Sequence, residues 1–151
     1  MQASYGEKVE FLVVYIAEAH AFDGASPRGG RDGNPIVEEP ISIDERLAVA
    51  TVCRERLDLS PMTVLIDDMK NTADGAYAGF PDRLYLVGRN GRVAYAGDPG
   101  PIGFRPDELE AAMRAELGLP PLPKPEPESP AEDGAGSDGG RRRPGGGEDA
   151  R

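Results

Sequence analysis

Residues Val9 to Ala17, VEFLVVYIA, form an almost unbroken run of β-branched, aromatic and aliphatic side chains interrupted by a single acid. The run is far short of the roughly 18 apolar residues that cross a bilayer, and it lacks the alternation of a strand with one wet face. It predicts a central β-strand covered on both faces, and therefore a sheet with helices packed on either side. The rest of the chain has to provide that cover.

Composition limits where the cover can come from. From Leu119 to Arg151 the sequence is dominated by Pro, Gly, Ser, Arg and acids, with almost no large apolar side chains to offset the entropy of ordering. The expected organisation is one domain over residues 1–118, near the lower end of comfortable domain sizes, and a disordered tail over residues 119–151. The tail holds five basic and seven acidic residues, so −8 of the net −10 belongs to the domain. An acidic domain repels phosphates, so no nucleic-acid partner is expected, and the short run Arg141 to Arg143 does not alter that balance. No stretch reads as a membrane segment, and the first residues lack the basic and apolar regions of a signal peptide, so the chain as written reads as soluble and cytoplasmic. With Cys53 as the single cysteine, no internal disulfide, CxxC pair or cysteine-rich zinc site can form.

Further elements follow from local signals. Glu18 to Pro35 is rich in Gly and Pro and long for a compact domain, which favours a functional loop. Ser42-Ile43-Asp44-Glu45 is a capping box that predicts a helix from Ser42 to about Leu57, with Ile43, Leu47, Ala50 and Leu57 facing the sheet. A strand is expected over Met62 to Asp67, then a short helix or turn between Met69 and Tyr77. Arg83 to Val87 and Arg92 to Ala96 flank Gly88-Arg89-Asn90-Gly91, a hairpin whose Asn-Gly pair suits positive φ angles. Pro106, followed by Asp107 and Glu108, starts a last helix that Gly118 stops, with Leu109, Ala112, Met113 and Leu117 toward the sheet. Strand, helix, strand, hairpin, helix is the order of an α/β sandwich with a mixed sheet. A buried strand placed first leaves its neighbour and the preceding crossover helix unprovided.

The segment YGEKVEFLVVYIAEAHAFDG, Tyr5 to Gly24, resembles the signature of the iodothyronine deiodinase family, in which a strand ending in VYI runs into Glu-Ala-His and then Asp-Gly. The stretches ERLAVA, VLIDDMKN, AYAGFPDRLYLV, GRVAYAG and GPIGFRPDEL are similar in the same order, so the likeness extends from Tyr5 to about Met113. The resemblance implies a thioredoxin-like fold of the peroxiredoxin kind. It also implies that a strand and a loop-helix bearing selenocysteine or cysteine precede the VYI strand, a unit of roughly 30 residues that would lie ahead of Met1. Because the selenocysteine codon UGA also means stop, Met1 is expected to be an internal methionine. The reaction implied is reductive removal of iodide from an aromatic ring, with a thiol reductant or small redox protein as electron donor, a small-molecule substrate and no further cofactor.

By the same resemblance His20 is the candidate proton donor to the ring carbon, and Glu18 its orienting partner, two residues away and on the same side of an extended chain. Asp82 matches the family's acidic residue before Arg-Leu-Tyr and is a candidate for substrate binding. Pro81 stands about where thioredoxin folds keep a cis-proline, although a trans proline at the start of a strand fits equally well. Other positions depart from the family: Ala25 follows Asp23-Gly24 where vertebrate members have Trp, Pro40 replaces a histidine and Pro99 an arginine. These changes remove groups that would grip the ends of a thyroid hormone. Cys53, inside a helix rather than at its start, reads as a packing residue. The cluster of Asp67, Asp68, Asn71 and Asp74 lacks the spacing of a calcium loop and reads as a solvated turn; no metal site is expected. Without its nucleophile the chain is expected to be inactive. The alternatives are a noncatalytic binding protein on the same scaffold, and a thiol peroxidase when full length.

Overall fold

The computed structural model describes residues 1–27 and 36–123. The middle of the Gly- and Pro-rich loop and the tail from Lys124 onward, with the disorder expected for it, lie outside the described residues.

The apolar run forms β1, Leu12–Tyr15, and the capping box starts α2, Ile43–Arg56, after a short α1, Gln2–Tyr5. The Ser42 hydroxyl accepts from the Glu45 N–H at 3.3 Å while the Glu45 carboxylate reaches back to the Ile41 N–H at 2.8 Å. The chain then returns as β2, Thr63–Ile66, parallel to β1 with Leu12 opposite Thr63 and Tyr15 opposite Ile66. A six-residue α3, Thr72–Tyr77, leads to the antiparallel hairpin β3, Tyr85–Val87, and β4, Val93–Ala96, and α4, Pro106–Glu116, closes the described chain. In the hairpin loop only Gly91 adopts a positive φ, 74°, so the connection is a longer, bulged turn rather than one built on positive angles at both Asn90 and Gly91.

Among the described residues the expected single mixed sheet is instead two separate pairs, β1–β2 parallel and β3–β4 antiparallel, making an α/β structure with small sheets and four helices. Nor is β1 covered on both faces. Leu12 is 56 % exposed and Val14 44 %, and with Thr63 and Leu65 in register beside them they make one bare face of the parallel pair. The alternate residues Val13, Tyr15, Val64 and Ile66 are half-buried on the other face, where α2 packs on β2. The strand is as apolar as predicted, but the described residues include nothing that covers its second face or pairs with its second edge.

Helix α2 also sits rotated from its expected setting. Its inward seam is Arg46, Val49, Ala50 and Cys53, spaced i, i+3, i+4, i+7, whereas Ile43, Leu47 and Leu57 are exposed. A guanidinium with several backbone carbonyls to bind has displaced the aliphatic stripe. On α4 the expected stripe holds: Met113 is 1 % exposed, with Leu109, Ala112 and Leu117 packed beside it. Met113, Leu86 and Tyr5 form the principal core, beneath the hairpin and against α1. The Tyr5 hydroxyl donates to Glu110 at 2.7 Å and accepts from Arg114 at 2.8 Å, which fastens the first turn of the chain to the last helix.

Candidate active site at the carboxyl end of the parallel strands

Because β1 and β2 run parallel, the segments that follow them emerge at the same end of the pair, where open α/β sheets bind their ligands. One is the Glu18 to Asp23 turn and the other is Asp67 to Asn71. Two hydrogen bonds close the first onto the chain that returns toward α2: Phe22 N–H to Val37 carbonyl at 2.7 Å, and Glu39 N–H to the Asp23 carboxylate at 2.8 Å. A third runs from Glu18 N–H to the Glu39 carboxylate at 2.9 Å. The Glu-Ala-His segment is thus a tied turn.

His20 is exposed, and its Nδ1 lies 2.9 Å from the Ser26 carbonyl oxygen. A carbonyl can only accept, so Nδ1 carries the proton, and Nε2 is the nitrogen left to take up or release one. Glu18 is half-buried and receives the Tyr15 hydroxyl, not the imidazole. The strand ends at Tyr15, so Glu18 and His20 lie in a bend and turn rather than in extended chain, and the geometry that would stack them side by side is absent. They interact through charge instead. Burial pushes the Glu18 carboxyl up, the neighbouring Glu39 carboxylate pushes it further, and a charged His20 opposes both.

Within the acidic cluster Asp67 is enclosed and caps α3, while Asp68 stays exposed in the turn. The Asp67 side chain, only 5 % exposed, accepts from the N–H groups of Asp68, Ala73 and Asp74 at 2.9 Å each. Asp68 in turn binds the Thr72 hydroxyl at 2.7 Å and the Lys70 N–H at 2.9 Å. Both carboxylates are thereby used by the protein itself. Among the described residues no group of three or more His, Cys, Asp or Glu side chains is arranged to hold a metal.

The loop before the hairpin approaches the end of β1, since a methyl group added at Gly79 would stand 3.6 Å from Ile16 Cδ1. Pro81 follows a cis peptide bond from Phe80, the first of the two settings its position allowed. The Asp82 carboxylate lies against Gly100, and its carbonyl accepts the Gly100 N–H at 2.9 Å; among the described residues no hydrogen bond links it to His20. Arg83 braces this region, with Nε to Gly97 carbonyl at 2.6 Å and a second nitrogen to Tyr77 carbonyl at 3.1 Å. Cys53 is a free thiol that burial pushes up and the Glu18 charge pushes further, the reverse of an activated nucleophile. A titratable imidazole and a carboxyl with raised proton affinity can move protons at this end of the sheet, but no activated thiolate stands beside them.

Sequence reasoning passed over Arg46 and Arg83. The available signal for Arg46 was its place three residues after Ile43 and four before Ala50, inside an otherwise apolar stripe.

The sequence profile of the family described as iodothyronine deiodinase matches residues 1–116. The chain belongs to the iodothyronine deiodinase family. Its curated relatives include a Xenopus laevis type I iodothyronine deiodinase, 35 % identical over 100 residues that cover 66 % of this chain and 37 % of the relative. A Sparus aurata thyroxine 5-deiodinase is 36 % identical over 107 residues, 71 % of this chain and 38 % of the fish protein. The human thyroxine 5-deiodinase is 31 % identical over 105 residues, which is 70 % of this chain and 33 % of that protein. The chain therefore matches little more than a third of the length of these relatives. No helix of the described residues is long and apolar enough to cross a membrane.

Proposed function

We propose that this chain is the proton-handling part of a deiodinase-type oxidoreductase with a thioredoxin-like fold, whose nucleophile is borne on a strand and helix ahead of Met1. The observation that carries the reading is that, among the described residues, one edge of β1 is unpaired and one face bare, in the strand that leads directly into the family's Glu-Ala-His motif. An apolar strand with an open edge is unfavourable in water unless another strand pairs with it and another element covers it. A strand–helix unit would do both.

In the completed protein a selenolate or thiolate attacks the iodine of an iodinated aromatic ring. The carbon–iodine bond breaks, a selenium–iodine or sulfur–iodine bond forms, and the electron pair left on the ring carbon takes a proton from His20 Nε2. A thiol donor then reduces the enzyme-bound iodine to iodide, its sulfurs ending as a disulfide. Glu18 tunes the charge around the imidazole through space. The departures at Ala25, Pro40 and Pro99 favour a small halogenated ring over a full thyroid hormone.

The test uses the protein extended through the segment encoded in frame ahead of the Met1 codon. His20→Gln in that protein should lower kcat for thiol-dependent iodide release by about 10²- to 10⁴-fold, the usual worth of a positioned general acid. Unchanged kcat would remove His20 from the chemistry.

A further inference from the structure

We infer that Arg46 is a positioning residue that locks the Glu18–His20 turn to the loop after β2, an inference that rests on the assignment of that turn to the active site. Its side chain is almost wholly enclosed, with the residue 1 % exposed. One guanidinium nitrogen donates to the Asp68 carbonyl at 2.7 Å and the Asn71 side-chain oxygen at 2.9 Å, with the Asp67 carbonyl at 3.5 Å. The other reaches the Glu39 carboxylate at 3.5 Å. The second oxygen of that same carboxylate accepts the Glu18 N–H at 2.9 Å. A single side chain on α2 thus bridges both segments that leave the carboxyl ends of β1 and β2.

Stability alone is a poor reason for this arrangement. Among the described residues the Arg46 Nε is buried without a hydrogen-bond partner, and the one carboxylate that balances the charge is long in distance and partly wet. Removing a guanidinium from water under those conditions costs several kcal/mol, and well-packed apolar residues in place of both partners of such a pair often leave stability unchanged or higher. What methionine could not supply is the fork, two donor arms held at a fixed angle and aimed at two loops. Lysine could not supply it either, because its ammonium is a single point at the end of a flexible stem.

Amide hydrogen exchange is measured on the 151-residue chain with Arg46→Met, Arg46→Lys and Glu39→Ala. All three should speed exchange of the Glu18 N–H by about tenfold or more, the factor that matches loss of one charge-assisted hydrogen bond. The hairpin amides of Gly88 and Gly97, which bond to Arg92 and Leu84, should keep their native rates in each. In Glu39→Ala the Glu18 carboxyl, followed by carbon-13 titration, should also move down toward the ordinary range, since the Glu39 charge no longer raises it.

Unchanged Glu18 exchange in Arg46→Met, or restoration of native exchange by lysine, would overturn the inference. Should Arg46→Met lose the hairpin protection as well, Asn71→Gly decides, because it removes an Arg46 acceptor on the β2 side at a positive φ that glycine accepts and leaves the Glu18–Glu39 bond in place: faster Glu18 exchange supports the link, an unaltered rate refutes it. No substrate enters these measurements, so failure of the deiodinase reading and failure of the positioning role are told apart.

Discussion

Asp67 shows how far a side chain's surroundings can differ from what its neighbours in sequence suggest. Read along the chain it belongs to an acidic, solvated turn; in the fold it is enclosed and caps α3. Burial acts to raise its carboxyl, but the N–H groups of Asp74, Ala73 and Asp68 outweigh that and hold it below the ordinary carboxylate range. Because the folded value lies below the unfolded one, the cap's contribution is full above the unfolded value and drains away as pH falls through the folded one. Asp67→Ala should cost about 1–2 kcal/mol at neutral pH, and urea unfolding should show the gap between the two proteins closing in acid. A gap that stays constant with pH would mean the carboxylate is not the cap. The catalytic candidate His20 was legible because its motif is local in sequence. Arg46 was not, since its partners lie in two segments distant in sequence from each other and a lone charge in an apolar stripe reads as solvated.

Helix ends were legible where glycine marks them and obscure where it does not. Gly118 stops α4 at φ 67°, with Leu119 N–H to Arg114 carbonyl and Gly118 N–H to Ala115 carbonyl, the paired bonds of a Schellman cap. At the end of α2 the same two bonds run from Leu59 to Arg54 and from Asp58 to Glu55, but the residue at positive φ is Asp58, at 48°. An L-residue with a Cβ is strained there. Asp58→Gly should stabilise the chain by about 0.5–1 kcal/mol after loss of the Ser60 hydroxyl bond, raising Tm by a few degrees in a thermal melt. A lowered Tm would show that the Asp58 side chain contributes more than its backbone costs. The rotation of α2 was not legible, because the pattern of apolar residues fits two settings and the choice was made by Arg46.

For the whole molecule, the order of elements from β1 onward followed from turn signals, caps and periodicity, each expected strand and helix forming with its ends within a few residues, whereas the short α1 was not expected. The grouping of strands did not follow, because it depends on what lies at the unpaired edge of β1. VEFLVVYIA asks for a neighbour on both edges and a cover on both faces, and the described residues supply one of each. The proposed function has a strand and helix carrying the nucleophile complete this sheet beside His20. Its most direct test is thiol-dependent iodide release from a panel of iodinated phenols that includes thyroxine. The assay compares the 151-residue chain with the same chain extended through the segment encoded in frame ahead of Met1. No release above the thiol background is expected from the 151 residues, and clear turnover is expected from the extended protein, lost when its selenocysteine or cysteine is replaced by serine. Turnover by the 151 residues alone, or none by the extended protein, would overturn the assignment of the nucleophile to that segment.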